Sequence, residues 1–126
     1  QEGFSDIFDL SLADPSKFPF RDKWLINPRL ENARSCYGLK PVTGITINEI
    51  STLPERIALI RQKYTADLES MEGAALHYVA LMENLPFLQI RAVSNFVGER
   101  NRQNWKMKEA VEALNRALAR IIPQIE

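Results

Sequence analysis

The sequence predicts a single α/β domain over residues 1–126, in which helices pack on a central sheet. Two segments repeat apolar residues at spacings of three and four, which is typical of amphipathic helices. Short runs rich in β-branched and apolar residues predict strands. The predicted order is strand, helix, helix, strand, helix, which favours a layered α/β arrangement. With 126 residues, 45% of them hydrophobic, the chain is long enough to form one core.

Residues 1–40 are predicted to be rich in loops, while residues 41–126 hold the core and the motifs. Any long helix in the first part is interrupted by three prolines, Pro15, Pro19 and Pro28. We expect this part to be a surface loop packed on the core, with a lid or a subunit contact as the alternative. One helix is expected over residues 27–37, ending near Gly38.

The first strand is predicted over residues 42–48, where Thr, Ile and Val dominate and Gly44 allows a bulge or a close approach. The helix that follows is predicted to begin at a capping box, with Thr52 as the N-cap and Glu55 three residues later. Pro54 then falls in the first turn of the helix, where proline is tolerated.

A helix, a corner and a buried strand are predicted next. The helix begins at Asp67, and apolar residues form a stripe along it as far as Met82. The corner lies at Asn84–Leu85. The strand covers residues 87–93, which are mostly apolar on both faces, so we expect it in the centre of the sheet beside a parallel neighbour. Its carboxyl end, Ser94–Asn95, is where open α/β sheets bind their ligands.

The polar segment after Asn95 is predicted to be a loop, with Gly98 as a hinge. A last amphipathic helix follows and is closed by Pro123. Its apolar stripe consists of Met107, Val111, Leu114, Leu118 and Ile121.

Composition excludes several classes of function. Sixteen basic residues balance sixteen acidic ones, so neither a nucleic acid nor a membrane is expected as a partner. The single cysteine, Cys36, cannot form an internal disulfide, and no Cys/His cluster has the spacing of metal ligands. No apolar run is long enough to cross a bilayer. We therefore expect a soluble cytoplasmic protein with no metal and no cofactor.

Two motifs resemble those of a known family. The letters MEGAA, followed by PFLQIRAVSN, resemble the signature of the nucleoside phosphorylase and nucleosidase superfamily. Where its methylthioadenosine/S-adenosylhomocysteine nucleosidases end this strand in Asp, the present sequence has Asn95. That difference, together with NFVGERNRQNW, is most similar to the futalosine hydrolases of the alternative menaquinone pathway. The resemblance covers residues 40–122 and implies part of a three-layer α/β/α fold with a mixed central sheet.

Other features of the resembled family have no counterpart in the sequence. These are its Gly-rich opening strands, its anion- or ribose-binding loop and its water-activating Glu, and the sequence begins at Gln1 without an initiator Met. We therefore expect the chain to be the carboxyl-terminal part of a larger enzyme and to be inactive alone. Exposed sheet edges favour association, so a homo-oligomer is also expected.

The resemblance gives Glu72 and Met71 roles at the sugar. Glu72 accepts hydrogen bonds from the two ribose hydroxyls and stabilises the positive charge that develops on the sugar, while Met71 packs beneath the ring. The alternative is that Glu72 only adds solubility and complements the helix dipole.

Asn95 is predicted to read the purine. Its amide both donates and accepts, whereas a carboxylate only accepts. The NH₂ group could donate to O6 or N7, which favours a 6-oxopurine over adenine as the leaving group. The alternative is that Asn95 caps a turn, as Asn does readily.

The same family pattern implies further substrate contacts. Ser94 supports the contact with the base, and Arg91 orients the Asn95 loop or a neighbouring carboxylate, unless its role is purely structural. Trp105 lines the pocket at the 5′ end of the nucleoside, where Arg100 and Arg102 could bind a carboxylate or could simply be solvated.

Thr46, Ile47 and Asn48 align with the family's base-stacking segment. His77, by contrast, is expected to pack and not to act as a ligand.

These residues predict an N-ribosidase that releases hypoxanthine from futalosine, a purine nucleoside. Two alternatives with related chemistry are a phosphorolytic purine nucleoside phosphorylase and a methylthioadenosine/S-adenosylhomocysteine nucleosidase. A third alternative is an inactive fragment or an assembly module.

Overall fold

A computed structural model describes residues 4–31 and 37–125. Over these ranges the chain forms two strands and three α-helices, with short 3₁₀ helices between them. In chain order the main elements are β1 (Gly44–Thr46), α1 (Pro54–Tyr64), β2 (Leu68–Ser70), α2 (Gly73–Met82) and α3 (Met107–Ile121). The 3₁₀ helices are Pro28–Glu31, Arg102–Asn104 and Ile122–Gln124. The architecture is α/β, as predicted.

The two strands form a parallel sheet in which α1 is the crossover. Gly44 lies opposite Leu68, and Thr46 at the end of β1 lies opposite Ser70 at the end of β2. A side chain at Gly44 would bring its Cβ within 2.9 Å of Leu68 Cδ1, so the missing side chain allows the strands to pair at this point. The first predicted strand is therefore confirmed in its centre. Its end places two hydroxyl side chains next to each other.

Helix α1 begins one residue later than predicted. Leu53 is the N-cap, is extended (φ −88°, ψ 127°), and makes no capping hydrogen bond with its side chain. The predicted capping box of Thr52 and Glu55 is wrong, because Pro54 forces the residue before it into an extended conformation and so fixes the boundary at Leu53. Pro54 occupies the first turn, as expected.

The second predicted helix begins later than its apolar stripe suggested. Residues 68–70 form β2, and the helix starts only at Gly73, so Met71 and Glu72 precede it. Leu68 fits a helical spacing, but its backbone pairs with a strand 24 residues earlier in the chain, and that pairing decides its structure. The corner is where it was expected: Asn84 has a φ of +51°, and the Leu85 N–H donates to the Ala80 carbonyl (2.8 Å).

The predicted central strand over residues 87–93 is wrong. Within the described ranges the sheet has two strands and is parallel, not mixed, and residues 87–93 belong to neither strand. Side chains hold this segment instead. Asn27 Nδ2 donates to the Phe87 carbonyl (2.8 Å), and Gln89 bonds to the start of α2. An apolar run shows that a segment needs cover, but it does not supply the neighbouring strand that a ladder requires.

The predicted last helix is confirmed as α3, and a 3₁₀ turn that contains Pro123 follows it. Ile121 at its end is fully buried and, with Ile60 and Ala80, forms the buried apolar core of the described chain. The helix expected over residues 27–37 is a 3₁₀ turn over its first part, Pro28–Glu31. Residues 32–36, with Arg34 and Cys36, lie outside the described residues. In the two described ranges, no helix is both long enough and apolar enough to span a bilayer.

The amino-terminal segment packs on the core, as expected for its loops. The Phe20 ring lies 5.9 Å from the Tyr78 ring, between their centroids. Asp6 accepts hydrogen bonds from the Tyr64 hydroxyl and from Lys63, whose Nζ lies 2.8 Å from Asp6 Oδ2. Burial raises the pKa of Asp6, but these two hydrogen bonds, with those from the backbone N–H groups of Asp9 and Phe8, outweigh it and hold the pKa well below its usual range. One carboxylate therefore anchors this segment to the end of α1.

Candidate active site

The start of α2 is capped by hydroxyl groups from the ends of the two strands. Thr46 Oγ1 accepts the Ala74 N–H (2.7 Å), and Ser70 Oγ accepts the Gly73 N–H (3.3 Å). Glu72 occupies the N-cap position (φ −128°, ψ −3°) but makes no capping bond with its side chain. The Glu72 carboxylate is exposed, and none of the described residues pairs with it. It is therefore available to a ligand.

Gly73 allows three elements to meet beside Glu72. A Cβ at Gly73 would lie 2.7 Å from Ser70 Oγ and 3.1 Å from Gln89 Oε1, too close for any other residue without rearrangement. The Gln89 side chain donates to the Gly73 carbonyl (3.2 Å), and it accepts from Arg91 Nε (2.9 Å). The segment that carries Arg91 is thus tied to the residue next to Glu72.

This arrangement corrects the expectation for Arg91. The side chain is exposed and does not lie in a buried strand, and among the described residues it donates to the amide oxygen of Gln89. Arg91 therefore acts on the start of α2 through Gln89. Sequence reasoning missed Gln89, which lies two residues before Arg91 inside an otherwise apolar run.

A second polar cluster surrounds Asn95. The Ser94 hydroxyl donates to Asn95 Oδ1 (2.6 Å), and Asn95 Nδ2 donates to the Phe96 carbonyl (3.0 Å). The Ser94 hydroxyl thereby fixes the orientation of the Asn95 amide, with Oδ1 towards Ser94. One of the two Nδ2 hydrogens is left for a ligand. These contacts also match the alternative in which Asn95 caps its own turn.

The chain from Ser94 to Lys106 forms a closed loop, which we call the 94–106 loop. The Lys106 N–H donates to the Ser94 carbonyl (2.7 Å) and so joins the two ends of the loop. The bond brings Trp105, next to Lys106, to the same neck as Asn95. The predicted base contact and the predicted aromatic wall are therefore close along this neck.

Glu99 holds the inside of this loop together. Its carboxylate accepts the Asn101 N–H (2.7 Å) and Asn104 Nδ2 (2.9 Å), and its carbonyl accepts Trp105 Nε1 (3.1 Å). The hydrogen bond from Asn104, with that from Asn101, lowers the pKa of Glu99. Sequence reasoning missed Glu99. The one available indication was an acidic residue between the hinge Gly98 and two amides that can donate to it.

The two predicted loop arginines differ in their surroundings. The Arg102 guanidinium carbon lies 5.9 Å from the centroid of the Trp105 ring, which is within the range of a cation–π contact. Arg100 is exposed to solvent.

A large open cleft of about 1650 Å³ lies between the sheet, α2, α3 and the amino-terminal segment. Five of the predicted site residues line it: Thr46, Ile47, Asn48, Met71 and Arg91. Among the described residues that line the cleft, the other six predicted site residues are absent: Glu72, Ser94, Asn95, Trp105, Arg100 and Arg102. The site residues thus form two clusters, one at the start of α2 and one at the neck of the 94–106 loop. The chain from Gln89 to Asn95 connects them.

His77 packs beside the first cluster. Its ring meets that of Phe87 edge to face with 4.7 Å between centroids, and Nδ1 lies 3.2 Å from the Gly73 carbonyl. Burial lowers the pKa of His77, which keeps the ring neutral near pH 7. In residues 4–31 and 37–125, no group of three His, Cys, Asp or Glu side chains is arranged to hold a metal ion.

Comparison with known proteins decides the family. The family model described as "Phosphorylase superfamily" matches residues 27–123, which include both clusters. The chain belongs to the phosphorylase superfamily.

Curated relatives of this superfamily member carry one name. The futalosine hydrolase of Streptomyces coelicolor is 32% identical over 126 residues, which are 99% of this chain and 51% of the relative. That of Thermus thermophilus is 37% identical over 87 residues, which are 69% of this chain and 39% of the relative. The chain spans about half the length, or less, of the curated relatives it matches. No solved structure matches it.

Proposed function

We propose that this chain is part of an N-ribosidase of the futalosine hydrolase type, which releases hypoxanthine from futalosine. The observation that carries the proposal is the pairing of Ser94 with Asn95. Because the Ser94 hydroxyl occupies Asn95 Oδ1, the amide presents an N–H donor to a ligand. The names of the curated relatives support the same substrate.

The ribose is held at the start of α2. Breaking an N-glycosidic bond develops positive charge on the sugar. A carboxylate stabilises that charge best when no protein cation already neutralises the carboxylate. Glu72 meets this condition, since no described residue pairs with it. Its two oxygens accept hydrogen bonds from the two ribose hydroxyls. Met71 is half exposed and lines the cleft, so it is available to pack beneath the sugar ring.

The purine is read at the neck of the 94–106 loop. Hypoxanthine presents an acceptor oxygen at position 6, while adenine presents an amine donor. Negative charge develops on the departing base, and a donor directed at O6 or N7 stabilises it. Asn95 donates there, and the side chains of Ile47 and Asn48, which follow β1, contact the face of the base. The reaction thus uses one cluster for the ribose and the other for the purine.

The 5′ substituent of futalosine lies against the 94–106 loop. This substituent carries an aromatic ring and a carboxylate. Trp105 supplies an aromatic wall, and the guanidinium of Arg102 above its ring supplies a cation that can bind a carboxylate with two hydrogen bonds. Arg100 is the second cation for this carboxylate. We also propose that the enzyme works as a cytoplasmic homo-oligomer, which fits a chain with one cysteine and many exposed apolar side chains.

The test is hydrolysis of futalosine by the longest natural polypeptide that contains this chain, with methylthioadenosine as the competing substrate. We expect a higher kcat/KM for futalosine, with hypoxanthine as the released base. A preference for methylthioadenosine would contradict the role of Asn95. Cleavage of inosine that requires phosphate would instead indicate a phosphorylase.

A further inference from the structure

We propose that Thr46 is a positioning residue for Glu72: it caps α2 in place of the Glu72 side chain and so keeps that carboxylate directed to the ribose. The inference rests on the proposed function for the role of Glu72. It gives Thr46 a task different from contact with the purine. The observations that carry it are the hydrogen bond from Ala74 to Thr46 and the uncapped state of Glu72.

The bond to Thr46 replaces the usual capping bond. In most helices the N-cap side chain accepts the N–H of the second or third helical residue. Here Glu72 is the N-cap, Gly73 is the first residue and Ala74 is the second. The Ala74 N–H lies 2.7 Å from Thr46 Oγ1, so a residue 28 positions earlier in the chain satisfies it. The third helical N–H, that of Ala75, donates to the Glu72 main-chain carbonyl (3.1 Å), so neither N–H is left for a capping side chain at Glu72.

The parallel sheet places the cap where it is needed. Thr46 and Ser70 are opposite each other at the carboxyl ends of β1 and β2. Ser70 Oγ accepts the N–H of Gly73, so the first two N–H groups of α2 bond to hydroxyls from two neighbouring strands. Gln89 supports the same turn by donating to the Gly73 carbonyl (3.2 Å). The backbone beside Glu72 is therefore held from three sides.

Loss of this cap has a specific consequence for Glu72. The start of a helix carries partial positive charge and attracts carboxylates. With Thr46 Oγ1 removed, the Ala74 N–H is free, and the nearest acceptor along the chain is the Glu72 carboxylate itself. A carboxylate that folds back onto its own helix is no longer directed to the ribose hydroxyls. Thr46 therefore acts on the sugar end of the reaction through Glu72.

Amide hydrogen exchange tests the cap without reference to activity. In Thr46→Val the Ala74 amide is expected to exchange at least about fivefold faster than in the parent chain, while Thr46→Ser, which keeps the hydroxyl, restores the protection. Thr52→Val is the matched control, because Thr52 lies on the connection that follows β1 and caps no helix. Unchanged exchange of Ala74 in Thr46→Val would overturn the capping.

Kinetics test whether the cap acts through Glu72. In the longest natural polypeptide, Thr46→Val is expected to lower kcat for futalosine about tenfold, Thr46→Ser to retain most of it, and Thr52→Val to leave it unchanged. The double variant with Glu72→Gln is expected to be no slower than Glu72→Gln alone, since both changes remove one interaction. The ratio of kcat/KM for 6-oxo and 6-amino nucleosides is expected to stay constant.

Three results would contradict the inference, and they are separable from a failure of the proposed function. Multiplicative losses in the double variant would show that Thr46 acts independently of Glu72. A changed purine preference in Thr46→Val would show direct contact with the base. If the parent enzyme cleaves no futalosine, the proposed function is wrong and the role of Glu72 is wrong with it, while the exchange of Ala74 still decides the cap.

Discussion

Replacing Asn95 with Asp tests how the purine is recognised. In the parent chain, Asn95 Nδ2 donates to the Phe96 carbonyl at 3.0 Å, and Oδ1 accepts from Ser94 at 2.6 Å. Asp keeps the second contact and loses the first, because an ionised carboxylate has no hydrogen to donate. The oxygen that replaces Nδ2 then faces both the Phe96 carbonyl and O6 of the purine. Both contacts change from attractive to repulsive.

The magnitude follows from the lost donor. A buried polar group left without its partner costs about 1–3 kcal/mol. Since 1.36 kcal/mol corresponds to a tenfold change in rate, kcat/KM for a 6-oxopurine nucleoside is expected to fall about 5- to 150-fold. A 6-aminopurine nucleoside gains an acceptor for its amine, so the preference should shift towards methylthioadenosine. The assay measures kcat/KM for futalosine, inosine and methylthioadenosine with both enzymes.

Asn101→Asp is the matched control for this experiment. It makes the same change of charge in the same loop, but the Asn101 side chain uses its oxygen to accept the Gln103 N–H (3.0 Å), a bond that Asp retains. We expect its substrate preference to equal that of the parent enzyme. If Asn95→Asp leaves the preference unchanged, Asn95 only caps its turn. If Asn101→Asp shifts the preference equally, the effect is one of general charge.

Three further predictions concern other residues. Glu72→Gln is expected to lower kcat at least about a hundredfold, as for the loss of a transition-state charge contact, with an unchanged Tm because no described residue pairs with the carboxylate; a normal kcat would exclude the sugar role. Glu99→Gln replaces a carboxylate that accepts two hydrogen bonds by an amide that can accept only with its oxygen, so the 94–106 loop is expected to loosen. In a Trp24→Phe background, the fluorescence of Trp105 should then indicate greater exposure to solvent. Identical spectra of variant and parent would contradict this prediction. Asp6→Asn should lower the free energy of unfolding by about 1–3 kcal/mol in denaturant melts. The depressed pKa of Asp6 adds a pH dependence: its contribution is complete above the unfolded pKa of about 4 and is lost as the pH falls below it towards the folded pKa, so parent and variant should converge in acid and differ at pH 7.

Prediction from the sequence was most accurate for elements whose apolar residues recur at a regular spacing along the element itself. α3 appears where it was expected because its apolar stripe is regular over the whole helix. The start of α2 could not be placed this way, since Leu68 fits a helical spacing equally well. Its place in β2 depends on Gly44, a distant residue that no local pattern identifies. The strand predicted over residues 87–93 was wrong for a related reason, because the apolar character of a segment does not show which strands lie beside it.

The candidate site shows the same division. The motifs predicted candidate site residues, and the MEGAA and RAVSN segments lie at the two clusters. They did not predict the contacts that hold those residues. The cap from Thr46, the link through Gln89 and the central position of Glu99 all join residues through polar side chains, and such bonds have no periodic trace in a sequence. Local motifs therefore located the candidate residues, while the contacts that hold them required the three-dimensional structure.

The main-chain hydrogen bond from Lys106 to Ser94 bears on the two contacts proposed for the 94–106 loop, that of Asn95 with the base and that of the loop interior with the 5′ substituent. Because the neck is tied by a main-chain hydrogen bond, side chains in the loop interior can change without breaking the bond that closes the loop beside Asn95. On the proposed function, exchange of the loop interior is expected to change the accepted 5′ tail, while the released base stays the same. Grafting such an interior onto this chain would redesign one half of substrate selection and leave the other half intact.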